Sequence, residues 1–287
     1  MVLTRRAHKA ISRWLPNEII TEIVQLTPQS DQVSLSRVST LFRDLCLPIL
    51  YRVVRLNSLA SVEAFCAAVL SNNSLAELVR SYTVVDFFGV QSPSLVGLVR
   101  LEDLSLHHSL ADTDLRDLLG LIFPHLVRCR LRTATLESGP RYAYPSAEKQ
   151  DALMSFLLRH PALENLHIED PYHKEVWSSQ SARIPLLHLQ RLQCPARIVP
   201  SIDTTNLRRA RLCWNTGIFG PLGPAQVENI VVSLRSMAHS DIPFGCSNDH
   251  CDSCLPAVVD SLSRNMPATR TLLLHVSYEL NQVRCFS

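Results

Sequence analysis

Glycine is scarce, with 8 in 287 residues, so loops that lay bare backbone against phosphates are not expected. Charge is thin as well: charged residues make up 19% and the formal net charge is +2. No long Lys/Arg run offsets that balance, which argues against a dedicated nucleic-acid binder. No apolar run is long enough to span a bilayer, so no membrane association is expected. A secretory signal is missing too, because Met1 to Trp14 carries Arg5, Arg6, Lys9 and Arg13 without an apolar stretch. The same basic, acid-free lead-in has the composition of a mitochondrial presequence, yet it runs straight into a structured motif. Nucleophile-elbow, Walker, dinucleotide-loop and paired-histidine motifs are absent. The expectation is a chain that is not an enzyme and needs no cofactor.

What is abundant is apolar side chains, 46% of the total, with leucine foremost. The length admits two modules, or one module followed by an array. The cysteines number nine, an odd count, and most lie singly in apolar segments where they act as small hydrophobes. Reduced thiols in a cytoplasmic and/or nuclear protein are therefore expected.

From Leu15 the spacing predicts three short helices. Pro16 suits a first helical turn and Glu18 favours the positive end of the dipole. Ile19, Ile20, Ile23 and Leu26 follow at helical spacing until Pro28. Ser30 or Asp31 is expected to cap a second helix carrying Val33, Leu35 and Val38. Leu41, Phe42 and Leu45 lie on a third, which Pro48 is expected to close. Three helices in about 35 residues make a bundle too small to bury all its apolar surface.

The order Leu15-Pro16, Glu18, Ile19, Ile23, Asp31, Val38-Ser39, Phe42-Arg43, Leu45 and Pro48-Ile49-Leu50-Tyr51 resembles the F-box. Thr27-Pro28-Gln29-Ser30 departs from the pattern, being polar where many members are more apolar. The resemblance implies docking to the Skp-type adaptor of a cullin-based (SCF) ubiquitin ligase. It assigns the adaptor contact to Leu15, Pro16, Ile19, Ile20, Ile23, Val38 and Phe42.

Beyond Tyr51 an apolar-x-x-apolar-x-apolar triplet recurs. Its copies are Val79-Tyr82-Val84, Leu101-Leu104-Leu106, Leu126-Cys129-Leu131, Leu163-Leu166-Ile168, Leu189-Leu192-Cys194 and Leu207-Ala210-Leu212. A further copy is placed at Ala268-Thr271-Leu273. Spacings between the first six are irregular but centre on the range of leucine-rich repeats. Helices are expected between triplets: one with Val62, Phe65, Cys66, Val69 and Leu70 on one face, and one from Asp112 or Thr113 bearing Leu115, Leu118, Leu119 and Ile122. A third runs from Ser146 with Leu153, Phe156 and Leu157. Residues 224–237 fit a helix begun by Pro224, or a ladder through Val227, Ile230 and Val232; helix is the preferred reading, with a weak strand after it. The organisation is similar to fungal-type F-box proteins with degenerate leucine-rich repeats.

The predicted fold class is α/β, a three-helix F-box bundle followed by an irregular leucine-rich-repeat-like solenoid. The predicted divisions are a basic lead-in at 1–12, the F-box at 13–56 and the solenoid at 57–287. The resemblance implies a receptor that docks adaptor and cullin at one end and holds a protein substrate at the other; a scaffold with no role in degradation is the alternative. Such an array is expected to end on a polar capping repeat, and none is evident in the roughly dozen residues after the last triplet.

Side chains alternate across a strand, so residues flanking the triplets should line the concave side. They include Arg128, Arg130, Arg132, Arg191, Arg209 and Arg211, against the acids Asp103 and Glu169. Arginine pairs bidentately with carboxylate or phosphate, so an acidic or phosphorylated substrate segment is expected there. Cys246, Cys251 and Cys254 with His239 form a weak zinc candidate lacking a second Cys-x-x-Cys knuckle, and no metal is expected. With Cys285 the same cysteines mimic an iron–sulfur spacing without its loop context. His167-x-Glu169 matches half of a zinc-deaminase signature whose other half is missing. His107, His108, His160 and His188 are expected at the surface or at ladder edges.

Overall fold

The computed structural model describes residues 16–85, 95–107, 119–132, 147–169, 183–213, 222–237, 244–248, 255–265 and 272–276. The first described segment holds three helices, α1 (Asn17–Leu26), α2 (Gln29–Leu35) and α3 (Thr40–Leu50). Pro16 occupies the N-cap of α1, and Thr27 ends it as the backbone turns extended ahead of Pro28. The cap of α2 is Pro28, not Ser30 or Asp31, because its carbonyl accepts from the Asp31 and Gln32 N–H groups. Ser30 and Asp31 thus lie inside the first turn. Helix α3 also runs past Pro48 to Leu50. Proline there forfeits a single bond to the Asp44 carbonyl, and the helix resumes with the Tyr51 N–H donating to Leu47 at 2.9 Å.

Only two residues separate α3 from β1 (Val53–Leu56), which lies within the predicted 13–56 division and is the first strand of the sheet. Then come α4 (Leu59–Ser71), α5 (Asn73–Leu78), β2 (Ser81–Val85), β3 (Asp103–His107) and β4 (Arg128–Arg132). Helix α6 (Ala147–Arg159), β5 (Asn165–Glu169), a two-residue strand β6 (Ile184–Pro185) and β7 (Arg191–Pro195) follow. A 3-10 turn (Ala196–Ser201), β8 (Ile202–Asp203) and β9 (Arg209–Cys213) precede α7 (Pro224–Met237), β10 (Phe244–Asn248), α8 (Leu255–Asn265) and β11 (Leu272–Val276).

Among the described residues the strands form a nine-stranded sheet ordered β1-β2-β3-β4-β5-β7-β9-β10-β11, every pairing parallel, while β6 and β8 pair separately. Successive strands are therefore neighbours in chain order, each reached by a crossover on the way. A backbone device repeats at the entrances of β2, β3, β4, β5, β7 and β9. The Arg52 carbonyl accepts from the N–H groups of Arg80 and Ser81, and Arg80 from Glu102 and Asp103. Glu102 then accepts from Val127 and Arg128, Val127 from Glu164 and Asn165, Glu164 from Gln190 and Arg191, and Gln190 from Arg208 and Arg209 (2.8–3.2 Å). One carbonyl with two lone pairs thus satisfies two donors and starts each of these six strands at the same height.

That common start puts Tyr82, Leu104, Cys129, Leu166, Leu192 and Ala210 in one register row. All eighteen residues of the six triplets are buried and belong to one continuous core. Each buried apolar side chain is worth about 1.5–3 kcal/mol, and the buried residues of successive strands share one core. Burial pushes the Cys129 thiol up to about 12, so it stays protonated and packs as a hydrophobe.

The seventh triplet is displaced by one residue. Register pairs Cys246 with both Leu212 and Leu274, and Phe244 with both Ala210 and Leu272. Leu272 and Leu274, not Leu273, stand in the ladder register, while Thr271 and Ala268 lie outside the described residues. Strand β10 takes the place of the weak strand expected after α7.

The helices follow their apolar stripes with two corrections. In α4, capped by a reciprocal Ser58–Ser61 pair, Val62, Phe65, Cys66 and Val69 are buried but Leu70 is exposed. Leu119 is buried whereas Ile122 is exposed in a non-helical stretch; the helix expected from Asp112 or Thr113 otherwise lies outside the described residues. Leu153, Phe156 and Leu157 of α6 are buried, as are Val227, Ile230, Val231 and Leu234 of α7, and exposed Val232 removes the ladder alternative there. Helix α8 packs on α7, where Glu228 accepts from the Ser261 hydroxyl and the Asn265 amide at 2.6 Å each.

His160 is buried at the end of α6 rather than exposed at a ladder edge. Its Nδ1–H donates to the Phe156 carbonyl at 2.6 Å, and its Nε2 accepts from the Phe123 N–H at 2.9 Å. The neutral ring thereby joins α6 to the Leu119–Phe123 stretch, a link strengthened by Arg159 donating to the Leu119 and Gly120 carbonyls. Desolvation holds the His160 pKa below its ordinary 6.5. Below about pH 6.5 the unfolded chain takes up a proton that the folded chain refuses, so this contribution is complete above that pH and declines as pH falls towards the folded value. Chemical denaturation of wild type and His160→Gln between pH 7.5 and 5.5 is expected to show their stability difference narrowing with acidification. A constant difference would contradict the neutral bridge.

Candidate functional site

The N-terminal bundle has its own small core of Ile20, Val24 and Cys46, with Leu35, Leu41, Phe42, Leu45, Ile49 and Leu50 packed against it half-buried. Two polar residues fix its geometry. Buried Gln32 donates from its amide to the Val24 and Thr27 carbonyls at 2.8 and 2.9 Å, closing the C-terminal end of α1. Ser39 caps α3 by accepting from the Phe42 N–H at 3.2 Å.

Successive residues of an α-helix point about 100° apart, so α1 cannot bury all its isoleucines against one neighbour. Ile20 and Val24 turn inward, leaving Ile19 at 41%, Ile23 at 53% and Leu26 at 88% exposure along an adjoining stripe. Val38, in the turn before α3, is 63% exposed. Of the residues assigned to adaptor contact, Pro16, Ile19, Ile23 and Val38 are exposed, Phe42 is half-buried and Leu15 lies outside the described residues. Ile20 is a correction, since its side chain is part of the bundle core. Leu26, three residues after Ile23 and seven after Ile19, extends the exposed stripe at the helical spacing its sequence position predicts.

The second candidate surface is the sheet face opposite the ladder. One register row runs Ser81, Asp103, Arg128, Asn165, Arg191, Arg209; the next runs Thr83, Ser105, Arg130, His167, Gln193, Arg211. Arg128 is exposed on this face but already carries a partner. Its guanidinium forks onto both carboxylate oxygens of Asp103, a pairing that raises its pKa. Arg130, Arg191 and Arg209 are exposed and Arg211 is half-buried, and none of the four forms an ion pair among the described residues. Arg132 stands in register with His107 and Glu169.

His107 and His167 are ladder-flanking residues on β3 and β5, with the His107 Nε2 3.0 Å from the Ser105 hydroxyl. His188 is exposed. Cys246 sits on β10 between Leu212 and Leu274 in register, while His239, Cys251, Cys254, His108 and Cys285 lie outside the described residues. Among the described residues no group of three or more His, Cys, Asp or Glu could hold a metal ion. No helix among them is long and apolar enough to cross a membrane.

No curated protein matches the sequence. A family model does: residues 13–48 match the F-box domain, and that segment contains α1, α2 and most of α3, with the exposed stripe of Ile19 and Ile23. The chain thus carries an F-box domain, a module that generally marks the adaptor-binding subunit of an SCF ubiquitin ligase and implies interaction with a Skp-type adaptor.

Proposed function

We propose that this protein is a non-enzymatic substrate receptor of a cullin-type ubiquitin ligase. The F-box bundle would place it on the adaptor, and the region after β1 would act as a leucine-rich-repeat-like solenoid holding a target protein. The observation that carries this reading is the uncovered apolar stripe on α1 within the matched F-box segment. A bundle of three short helices retains such a stripe at a cost in solubility unless a partner covers it. The parallel sheet in chain order and its repeated carbonyl entrance support the repeat reading. Catalysis would belong to the other subunits, with this chain contributing proximity and orientation. The expected setting is the reducing cytoplasm and/or nucleus.

Affinity purification of the full chain from cells, followed by mass spectrometry and by target half-lives in cells lacking it, tests the proposal. Recovery of adaptor and cullin together with a protein whose half-life lengthens is expected. Adaptor without any stabilised protein would favour a scaffold, and absence of the adaptor would overturn both.

A further inference from the structure

We infer that Arg191, Arg209 and Arg211 anchor an Asp/Glu-rich segment of the protein target, with Arg130 extending the site along the same face. This rests on the receptor reading and names the chemistry its target must present. Arg191 and Arg209 are register partners on β7 and β9, and Arg211 is two residues along β9 beside Gln193. Adjacent strands lie about 4.8 Å apart and alternate residues about 6.6 Å apart along a strand. Three guanidinium groups therefore rise from two adjoining strands on one sheet face, without a carboxylate paired to any of them among the described residues.

The same face already displays the contact in question. Arg128 and Asp103, also register partners, form a two-pronged guanidinium–carboxylate pair. Towards β7 and β9 the arginines recur but the carboxylate does not: the positions in the Asp103 row are Asn165, Arg191 and Arg209. An extended acidic segment carries same-side carboxylates about 6.6 Å apart, the spacing of Arg209 and Arg211.

Two other anionic partners fit less well. A phosphate site ordinarily adds backbone N–H donors from a helix end or nest, whereas the N–H groups of β7 and β9 are committed to a parallel ladder pairing all five residues. A single-stranded nucleic acid uses aromatic side chains for stacking, and the sequences RLQCP and RARLC of β7 and β9 contain none.

The test uses the purified full chain bound to its adaptor and a fluorescent peptide of about a dozen residues in which Glu and Ser alternate. Parallel probes are the Gln–Ser peptide, a Gln–Ser peptide with one phosphoserine, and an oligothymidine of similar length. Saturable, salt-sensitive binding of the Glu peptide is expected, weakened about tenfold or more by combined Arg191→Glu, Arg209→Glu and Arg211→Glu. Arg235→Glu, the same charge change on α7, should leave affinity within about twofold. If the triple Glu variant misfolds, the milder Arg→Gln triple is used, and adaptor capture by each preparation reports the docking reading separately. Equal binding of the Gln peptide, an unaffected triple variant, or tighter binding of phosphopeptide or oligothymidine would overturn the assignment.

Discussion

Replacing Leu166 by Ala is expected to lower the unfolding free energy by about 3 kcal/mol, within the range for a fully packed leucine. Leu166 is buried on β5, in register with Cys129 on one side and Leu192 on the other. A truncation there removes surroundings from both neighbouring strands at once. Collapse into the gap is also resisted, because the entrance carbonyls of Val127 and Glu164 hold the strands at fixed height. Val232→Ala on the exposed side of α7 should change stability by less than about 0.5 kcal/mol. Urea denaturation of both variants checks the contrast, and comparable losses would mean that the row of triplets is not the principal core.

The second large effect belongs to α1. Ile19→Gln combined with Ile23→Gln should weaken adaptor binding by roughly 2–3 kcal/mol, a factor of about 30–150, through lost apolar burial and two newly desolvated amides. Gln is preferred to Glu because Glu18 and Glu22 already put two negative charges on this helix. Both isoleucines are about half exposed in the free chain, so the thermal midpoint should scarcely move. Ile20→Ala is expected to do the converse, destabilising the bundle through its core. Surface plasmon resonance against the adaptor, paired with thermal melts, separates the two behaviours. Equal affinities for the Gln variant and wild type would remove the stripe from the interface.

How far these residues could be read from sequence depended on whether their signal was local. Leucine at fixed offsets is local, so six triplets were legible although their separations vary. The seventh slipped because Leu272, Leu273 and Leu274 are three apolar residues in a row, and an unbroken run says nothing about which face each occupies. Strand β10, with sequence FGCSN, has scant apolar alternation of its own; it pairs with a strand on each side, a tertiary effect that overrides propensity.

At the candidate sites the same limit applies. The order of F-box residues is a one-dimensional pattern and was readable, but the choice between Ile19 and Ile20 depends on where α3 lies. Gln32 gave no warning, since a polar residue at helical spacing reads as solvated until its amide is seen on two carbonyls. The loss of Arg128 to Asp103, 25 residues earlier in the chain, became visible only once register made them neighbours. His160 likewise acquired its role from Phe123, which is 37 residues away.

The central claim is that the stripe of Ile19, Ile23 and Leu26 is a surface built to be covered by the adaptor. Its most direct measurement is a titration of the purified full chain with a Skp-type adaptor, followed by calorimetry and size-exclusion light scattering. A one-to-one complex with a negative heat-capacity change, the mark of apolar burial, is predicted. A chain that stays monodisperse and apart from the adaptor at every concentration tested would contradict it.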